Sequence, residues 1–312
     1  MQTNRKNVIG VIVGSLNMDL VAIGKSIPRP GETLLGTDFM TTPGGKGGNQ
    51  AVACANLGAD VKMVARVGQD SFGSDLKSAL RSLNVDDSYV FVDENVRTGV
   101  ALISVDQTGE NSILAVYGAN LTGQSEQEHA AKEALEGADF VLLQNEVPNE
   151  LNLFVANYAK SQNIPVFWDP APVNENAVEL MKLCSYITPN HLEAEALIGM
   201  NIAKPQDAIV ACNKILDVTG GDVMPFITLG SDGVVFIADG VPQVLESFPV
   251  KTIDTVAAGD AFVAGLAVAI SEKEKSILEC CRFANAVAAL SVTRRGAQDS
   301  MPMRQAVDQF LE

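Results

Sequence analysis

Strands that alternate with helices along most of this chain predict an α/β fold, a three-layer α/β/α sandwich on a central, mainly parallel sheet. Apolar, largely β-branched runs at 8–13, 61–67, 140–143, 166–168 and 226–229 have the continuous character of strands buried on both faces. Helical patterns fall between and around them, at 49–57, 74–83, 126–135, 150–160, 177–183 and 193–198. Four further segments break the alternation. Residues 19–23, 34–40, 99–105 and 111–117 read as short strands with no helix between partners, which predicts a small second β-sheet beside the main one.

Each element has a local reason. The run 8–13 ends in Gly14-Ser15, a loop at the C-terminal end of a buried strand. Strands 99–105 and 111–117 flank Asp106-Gln107-Thr108-Gly109 and form a hairpin. Strands 234–237 and 243–246, turned around Asp239-Gly240, form another at the edge of the main sheet. The chain closes with helical patterns at 257–270, 277–292 and 303–311. It contains no internal repeat, low-complexity linker or composition break. Its 312 residues suit one large domain over 1–312.

Composition narrows the function classes. Hydrophobic residues make up 47%, enough for a sizeable core, and aromatic residues only 5%, too few for a platform that stacks single-stranded nucleic acid. A net charge of −16 argues against a nucleic-acid polymer as partner, though backbone amides can still hold a small anion locally. Cys54, Cys184, Cys212, Cys280 and Cys281 form no CxxC pair and read as buried thiols in a reducing compartment. The N-terminal apolar run is too short for a signal peptide, and the apolar stretches elsewhere fall short of a membrane span. The expectation is a soluble, cytoplasmic protein without nucleic-acid or membrane partners.

Five clusters carry chemistry. In Asp254 to Phe262, DTVAAGDAF, a lone acid follows Ala-Ala-Gly where a loop becomes a helix. First-turn amides lack partners and sit at the positive end of the helix dipole, and small side chains let an anion approach them. Asp260 there is placed to take a proton from an attacking hydroxyl, or is simply a favourable charge in a first helical turn. Thr42 to Ala51, TPGGKGGNQA, has four glycines around Lys46, opens a helical pattern, and matches neither a Walker A loop nor GxGxxG. It suits a polyhydroxyl ligand, or is a flexible turn. Asn17 and Asp19 sit past the C-terminal edge of the first strand, where Asp19 can accept two bonds from a vicinal diol, or both shape a turn. Asn190 and Glu193, three apart at a helix start, can face a metal–phosphate unit or make a capping box. Thr228 to Gly233, TLGSDG, seats a nucleotide phosphate or forms a hairpin turn. With His129 and His191 the only histidines, a His-dependent triad or metal site is not expected.

Together GSLNMD, PGGKGGNQA, GEN at 109–111, DPAP at 169–172, ITPNHLEAE, TLGSDG, DTVAAGDAF and VTRRGAQDS resemble the ribokinase-like (PfkB-type) carbohydrate kinases over essentially the whole chain. The glycine loop and the DTxAAGD helix start are the specific pair. The resemblance implies ATP-dependent phosphorylation of the 5-hydroxyl of D-ribose, with 2-deoxyribose, another sugar or a nucleoside as the alternative acceptor. It implies Asp260 as general base and the amides of Ala257, Ala258 and Gly259 as an anion hole. Sugar would be bound by Asn17, Met18, Asp19, Gly45, Lys46, Gly47, Gly48, Asn49, Glu146 and Asp260. ATP would be faced by Asn190, Glu193, Thr228, Leu229, Gly230, Ser231, Asp232, Gly233, Gly259 and Asn285. Glu193 would help place Mg²⁺ through water, and Asp254, Val256, Ser291, Arg294, Gly296 and Ser300 would hold an activating K⁺. The small sheet, from segments near 19–43 and 98–118, would be a lid over the sugar and the interface of a homodimer. Ala257 stands where many relatives carry Gly, and Asn285 where some carry His.

Overall fold

A computed structural model describes residues 8–174 and 177–312. The domain expected over 1–312 therefore includes residues 1–7 and 175–176, which lie outside the described ones. The chain opens with β1 (Ile9–Val13), then β2 (Asn17–Gly24) and β3 (Gly36–Gly44), and returns through α1 (Lys46–Asn56) to β4 (Asp60–Gly68). After α2 (Ser71–Ser82) come the short β5 (Val85–Asp86) and β6 (Val90–Asp93), then β7 (Gly99–Val105) and β8 (Asn111–Val116). The alternating middle follows: α3 (Gln124–Ala134), β9 (Phe140–Gln144), α4 (Asn149–Ser161), β10 (Val166–Asp169), α5 (Ala177–Met181), β11 (Tyr186–Ile187), α6 (His191–Ile198) and α7 (Pro205–Thr219). The last strands are β12 (Met224–Thr228), β13 (Val234–Ala238) and β14 (Val241–Leu245), and the chain ends in α8 (Ala258–Ser271), α9 (Ile277–Ser291) and α10 (Arg304–Leu311).

Among the described residues the main sheet has the order β14-β13-β12-β11-β10-β9-β1-β4-β5, with β6 also on β4. It is parallel from β5 to β12 and antiparallel only at the β12–β13–β14 edge. The period-two rule separates two cores: Ile12, Leu142 and Phe167 face one side with α1, α8 and α9, while Val11, Val13, Val141, Leu143 and Trp168 face the other with α3, α4 and α7. This is the predicted three-layer sandwich. The predicted second sheet is also present, in the order β3-β2-β7-β8, its β2–β7 pair parallel and its outer pairs antiparallel.

The differences are local. Helix α7 has no counterpart in the sequence reading, although its buried Ala208, Ala211, Cys212, Ile215 and Thr219 keep helical spacing. Strands β5 and β11 have only two residues each, too few for any periodicity, and β6 has four. The strand expected to run to Leu229 stops at Thr228, because a 3₁₀ turn over Gly230–Asp232 starts the hairpin. Strand β3 runs further than expected, to Gly44, where Asn17 pairs with it. The glycine loop is therefore delivered directly to the C-terminal end of β1.

Candidate active site

Asp260 occupies the first turn of α8, 3% exposed, and α8 packs on α1. Its carboxylate accepts two side-chain bonds from α1: Asn49 Nδ2 to Oδ2 at 2.9 Å and Gln50 Nε2 to Oδ1 at 2.9 Å. It is a buried, externally held acid, unlike a charge that merely decorates a helix start. The Lys46 ammonium lies 3.0 Å from Asp169 Oδ2 and 3.9 Å from Asp260 Oδ1. Burial would pull the Lys46 pKa down, but Asp169, Asp260, Glu146 and Glu193 outweigh it and hold the side chain charged.

The glycine loop packs more than it binds. A Cβ on Gly47 would stand 2.6 Å from Ser15 N, and one on Gly45, whose φ is +85°, 2.7 Å from Asn17 N. The glycines let the start of α1 press against the β1–β2 connection. Several loop amides are engaged within the fold. Lys46 N donates to Glu146 Oε2 at 3.1 Å and Gly48 N to Ser15 O at 2.9 Å, while Gly47 N points at Ser15 Oγ at 3.5 Å. The Met18 side chain lies in the core, 3% exposed.

The polar cup is built by side chains. Asn17 Oδ1 accepts from Asn120 Nδ2 at 2.8 Å, and Glu146 accepts the Ser15 hydroxyl. Asp19 is buried beside Gly44, and among the described residues its carboxylate accepts no hydrogen bond. Burial, then Glu146 and Asp260, push its pKa up to about 7. Burial also raises Glu146, against the opposing pull of Lys46. A carboxylate with no protein donor in such a cup is free to accept hydrogen bonds from hydroxyl groups.

On the other side of the α8 N-terminus lies a cavity of about 500 Å³. Its walls include Thr228, Gly230, Ser231, Gly233, Phe262, Asn285 and Val292, and it reaches Ala258 and Gly259. Volume and a mainly apolar wall suit a nucleoside-sized ligand. Asn285 donates from Nδ2 to Glu246 O at 2.8 Å. Leu229 and Asp232 line a different, smaller cavity of about 130 Å³ with His191 and Lys204. Asn190 and Glu193 form the capping box: Glu193 N donates to Asn190 Oδ1 at 2.9 Å, and Asn190 N to Glu193 Oε2 at 2.8 Å. Glu193 still acts on the site, for its charge is felt at Lys46 and Asp169.

Of the three expected anion-hole amides, Ala258 N turns back to Thr255 O at 3.3 Å. Ala257, with φ +59°, is in the left-handed region as the N-cap, which swings the loop into the helix. Of the residues expected around K⁺, Asp254, Val256 and Gly296 are joined by hydrogen bonds. Asp254 accepts Val256 N at 3.1 Å and Gly296 N at 3.0 Å, tying the loop before α8 to the loop after α9, where Arg294 N bonds Ser291 O at 3.1 Å. Ser300 Oγ donates to Ala297 O at 2.8 Å.

Three residues carry no role in the sequence reading although they shape the site: Gln50, Gln144 and Asp169. Gln144 Nε2 donates to Gln50 Oε1 at 2.6 Å, and Gln50 Nε2 donates to both Asp169 Oδ2, at 3.1 Å, and Asp260. Asp169 ends β10, at the carboxyl edge where α/β sheets place ligands, and that position was its available signal.

A ribokinase of Haemophilus influenzae is 39% identical over 301 residues, covering 96% of this chain and 97% of its own. One of Bacillus subtilis is 40% identical over 300 residues, covering 96% and 98%. The structure of Arabidopsis thaliana ribokinase complexed with ribose and ATP superposes with a TM-score of 0.86 at 33% identity, covering 98% of this chain and 99% of that one. The sequence pattern of the pfkB carbohydrate kinases extends over residues 10–304, nearly the full length of both layers of helix and the sheet between them, and the chain belongs to that family.

Proposed function

We propose that the protein is a ribokinase, transferring the γ-phosphoryl group of ATP to the 5-hydroxyl of D-ribose to give D-ribose 5-phosphate and ADP. The observation that carries this reading is the buried Asp260 carboxylate, held by Asn49 and Gln50 between a polar cup and the cavity of about 500 Å³. In the cup, Asp19, Asn17, Glu146 and Lys46 engage the sugar hydroxyls, with the unpartnered Asp19 taking a vicinal diol. Asp260 accepts the proton of the attacking hydroxyl as its oxygen moves onto phosphorus. The amides of Ala257 and Gly259, at the positive end of α8, stabilise negative charge on the migrating group, and Ala258 joins them if its bond to Thr255 opens. The small sheet closes as a lid and excludes water, which competes as acceptor.

Two metals belong to the reading. Glu193 has one carboxylate oxygen outside its cap and a charge directed at the cup, which fits a hydrated Mg²⁺ beside the phosphates; that ion supplies charge neutralisation on the donor. Asp254, whose carboxylate ties the two loops together, would with neighbouring backbone carbonyls hold K⁺, whose role would be to brace the anion-hole loop. Five free, buried cysteines favour the cytoplasm. Exposed Phe39, Ile113 and Leu114 on the small sheet favour a homodimer through that face.

Initial rates of ADP formation on ribose, 2-deoxyribose, fructose and adenosine test the proposal. Ribose is expected to be turned over fastest. Faster turnover of 2-deoxyribose or adenosine would overturn it, since Asp19 is expected to reward the diol that 2-deoxyribose lacks.

A further inference from the structure

The register of the small sheet shows which side chains share the face that carries Asn17 and Asp19. Residues opposite one another on paired strands lie on one face, as do alternate residues along a strand. Asn17 and Asp19 of β2 pair with Gly99 and Ala101 of β7, and Ala101 pairs with Ala115 of β8. Tyr117 comes two residues after Ala115, just past the end of β8 and beside Gly99, and so extends the same face. With Gly99, Ala101 and Ala115 around it, its ring is the largest side chain there. Its backbone is held in place: Asn120 Nδ2 donates to Tyr117 O at 2.8 Å and to Asn17 Oδ1 at 2.8 Å, while Asn120 Oδ1 accepts from Leu16 N at 2.9 Å. The ring is half-buried, and among the described residues its hydroxyl makes no hydrogen bond. Burial, then the charge of Glu146 against that of Lys46, pushes the phenol up to about 12, so it keeps its proton on the Glu146 side of the cup.

We propose that Tyr117 is a further sugar-binding residue, whose hydroxyl hydrogen-bonds the anomeric hydroxyl of the furanose. The proposal rests on the ribokinase reading for the orientation of the sugar. With the 5-hydroxyl at Asp260 and the vicinal diol at Asp19, the anomeric hydroxyl is the one hydroxyl of ribofuranose left to place. The cup members left to receive it are Glu146 and Lys46, and theirs are the charges that act on Tyr117. A phenol donates and accepts, which complements a hydroxyl bound between an acceptor-only carboxylate and a donor-only ammonium.

Tyr117→Phe keeps the ring, removes the hydroxyl, and is read on two acceptors. One is ribose; the other is 1,4-anhydro-D-ribitol, a ribofuranose that keeps the diol and the 5-hydroxyl but lacks the anomeric hydroxyl. In Y117F the KM for ribose is expected to rise roughly three- to tenfold, and the KM for 1,4-anhydro-D-ribitol to stay at the wild-type value. The KM for ATP is expected to be unchanged, since the nucleotide cavity lies on the other side of the α8 N-terminus. A wild-type KM for ribose in Y117F, or an equal rise on both acceptors, overturns the proposal. A variant that merely loosened the small sheet would weaken both acceptors alike, so the pair separates recognition from a structural effect. If the wild type phosphorylates neither acceptor, the ribokinase reading fails, and calorimetric titration with ribose decides this one. Weaker binding of ribose to Y117F than to the wild type then supports the contact, and equal binding, or none to either, overturns it.

Discussion

At the scale of single residues, Asp19 makes the most quantitative statement. Its folded pKa of about 7 lies above the ordinary value of 3.8, so between those values the native state binds more protons than the unfolded chain. Stability therefore falls as pH rises through this window, and ionised Asp19 is a burden at pH 8 that sugar hydroxyls relieve. Asp19→Asn is expected to raise stability in denaturant titrations at pH 8 by roughly 1–4 kcal/mol, with the gain gone near pH 4. The same variant should raise the KM for ribose more than that for 2-deoxyribose. Ala257 offers a second case. At φ +59° its Cβ is strained, and Ala257→Gly is expected to stabilise the fold by about 1 kcal/mol in thermal melts. Asp260 and Asp19 were legible because each sits in a short motif with its own local logic. Gln50 was not, because its role is set by carboxylates 119 and 210 residues further along the chain.

At the scale of elements, the helix starts matter most. Both α1 and α8 begin with small residues, which the sequence displays openly, but the two runs serve different ends. In α1 the glycines admit the backbone of Gly14 and Ser15, whereas a Cβ on Gly259 in α8 would meet nothing within 4 Å. Composition alone does not distinguish a glycine needed for packing from one beside open space. Gly47→Ala is accordingly expected to cost about 1–3 kcal/mol in denaturant titrations, together with loss of activity as α1 shifts Asn49 and Gln50. Gly259→Ala should leave stability within about 0.5 kcal/mol and act on the KM for ATP. The capping box at α6 illustrates the opposite case, for its local reading was correct and still incomplete. Asn190 and Glu193 do cap each other, yet the charge of Glu193 reaches a site formed by strands far from it in sequence.

At the scale of the whole molecule, the layered architecture was readable because the two periodicities, two for strands and 3.6 for helices, alternate along the chain. What periodicity does not contain is the order of strands. The placement of β1 between β4 and β9 puts the ends of β1, β9 and β10 side by side, and with them Asn17, Glu146 and Asp169. No helix among the described residues is long and apolar enough to cross a membrane. The exposed face of the small sheet leads to a molecular-scale prediction: Leu114→Asp is expected to convert a dimer into a monomer in light scattering, and an unchanged mass would remove that face as the interface. The most direct measurement concerns the proton itself. Asp260→Asn keeps the size of the side chain and removes the acceptor. Steady-state ADP formation with ribose, Mg-ATP and K⁺ is expected to fall by at least about a hundredfold, with the melting profile of the folded protein retained. Turnover at the wild-type rate in that variant would contradict the account.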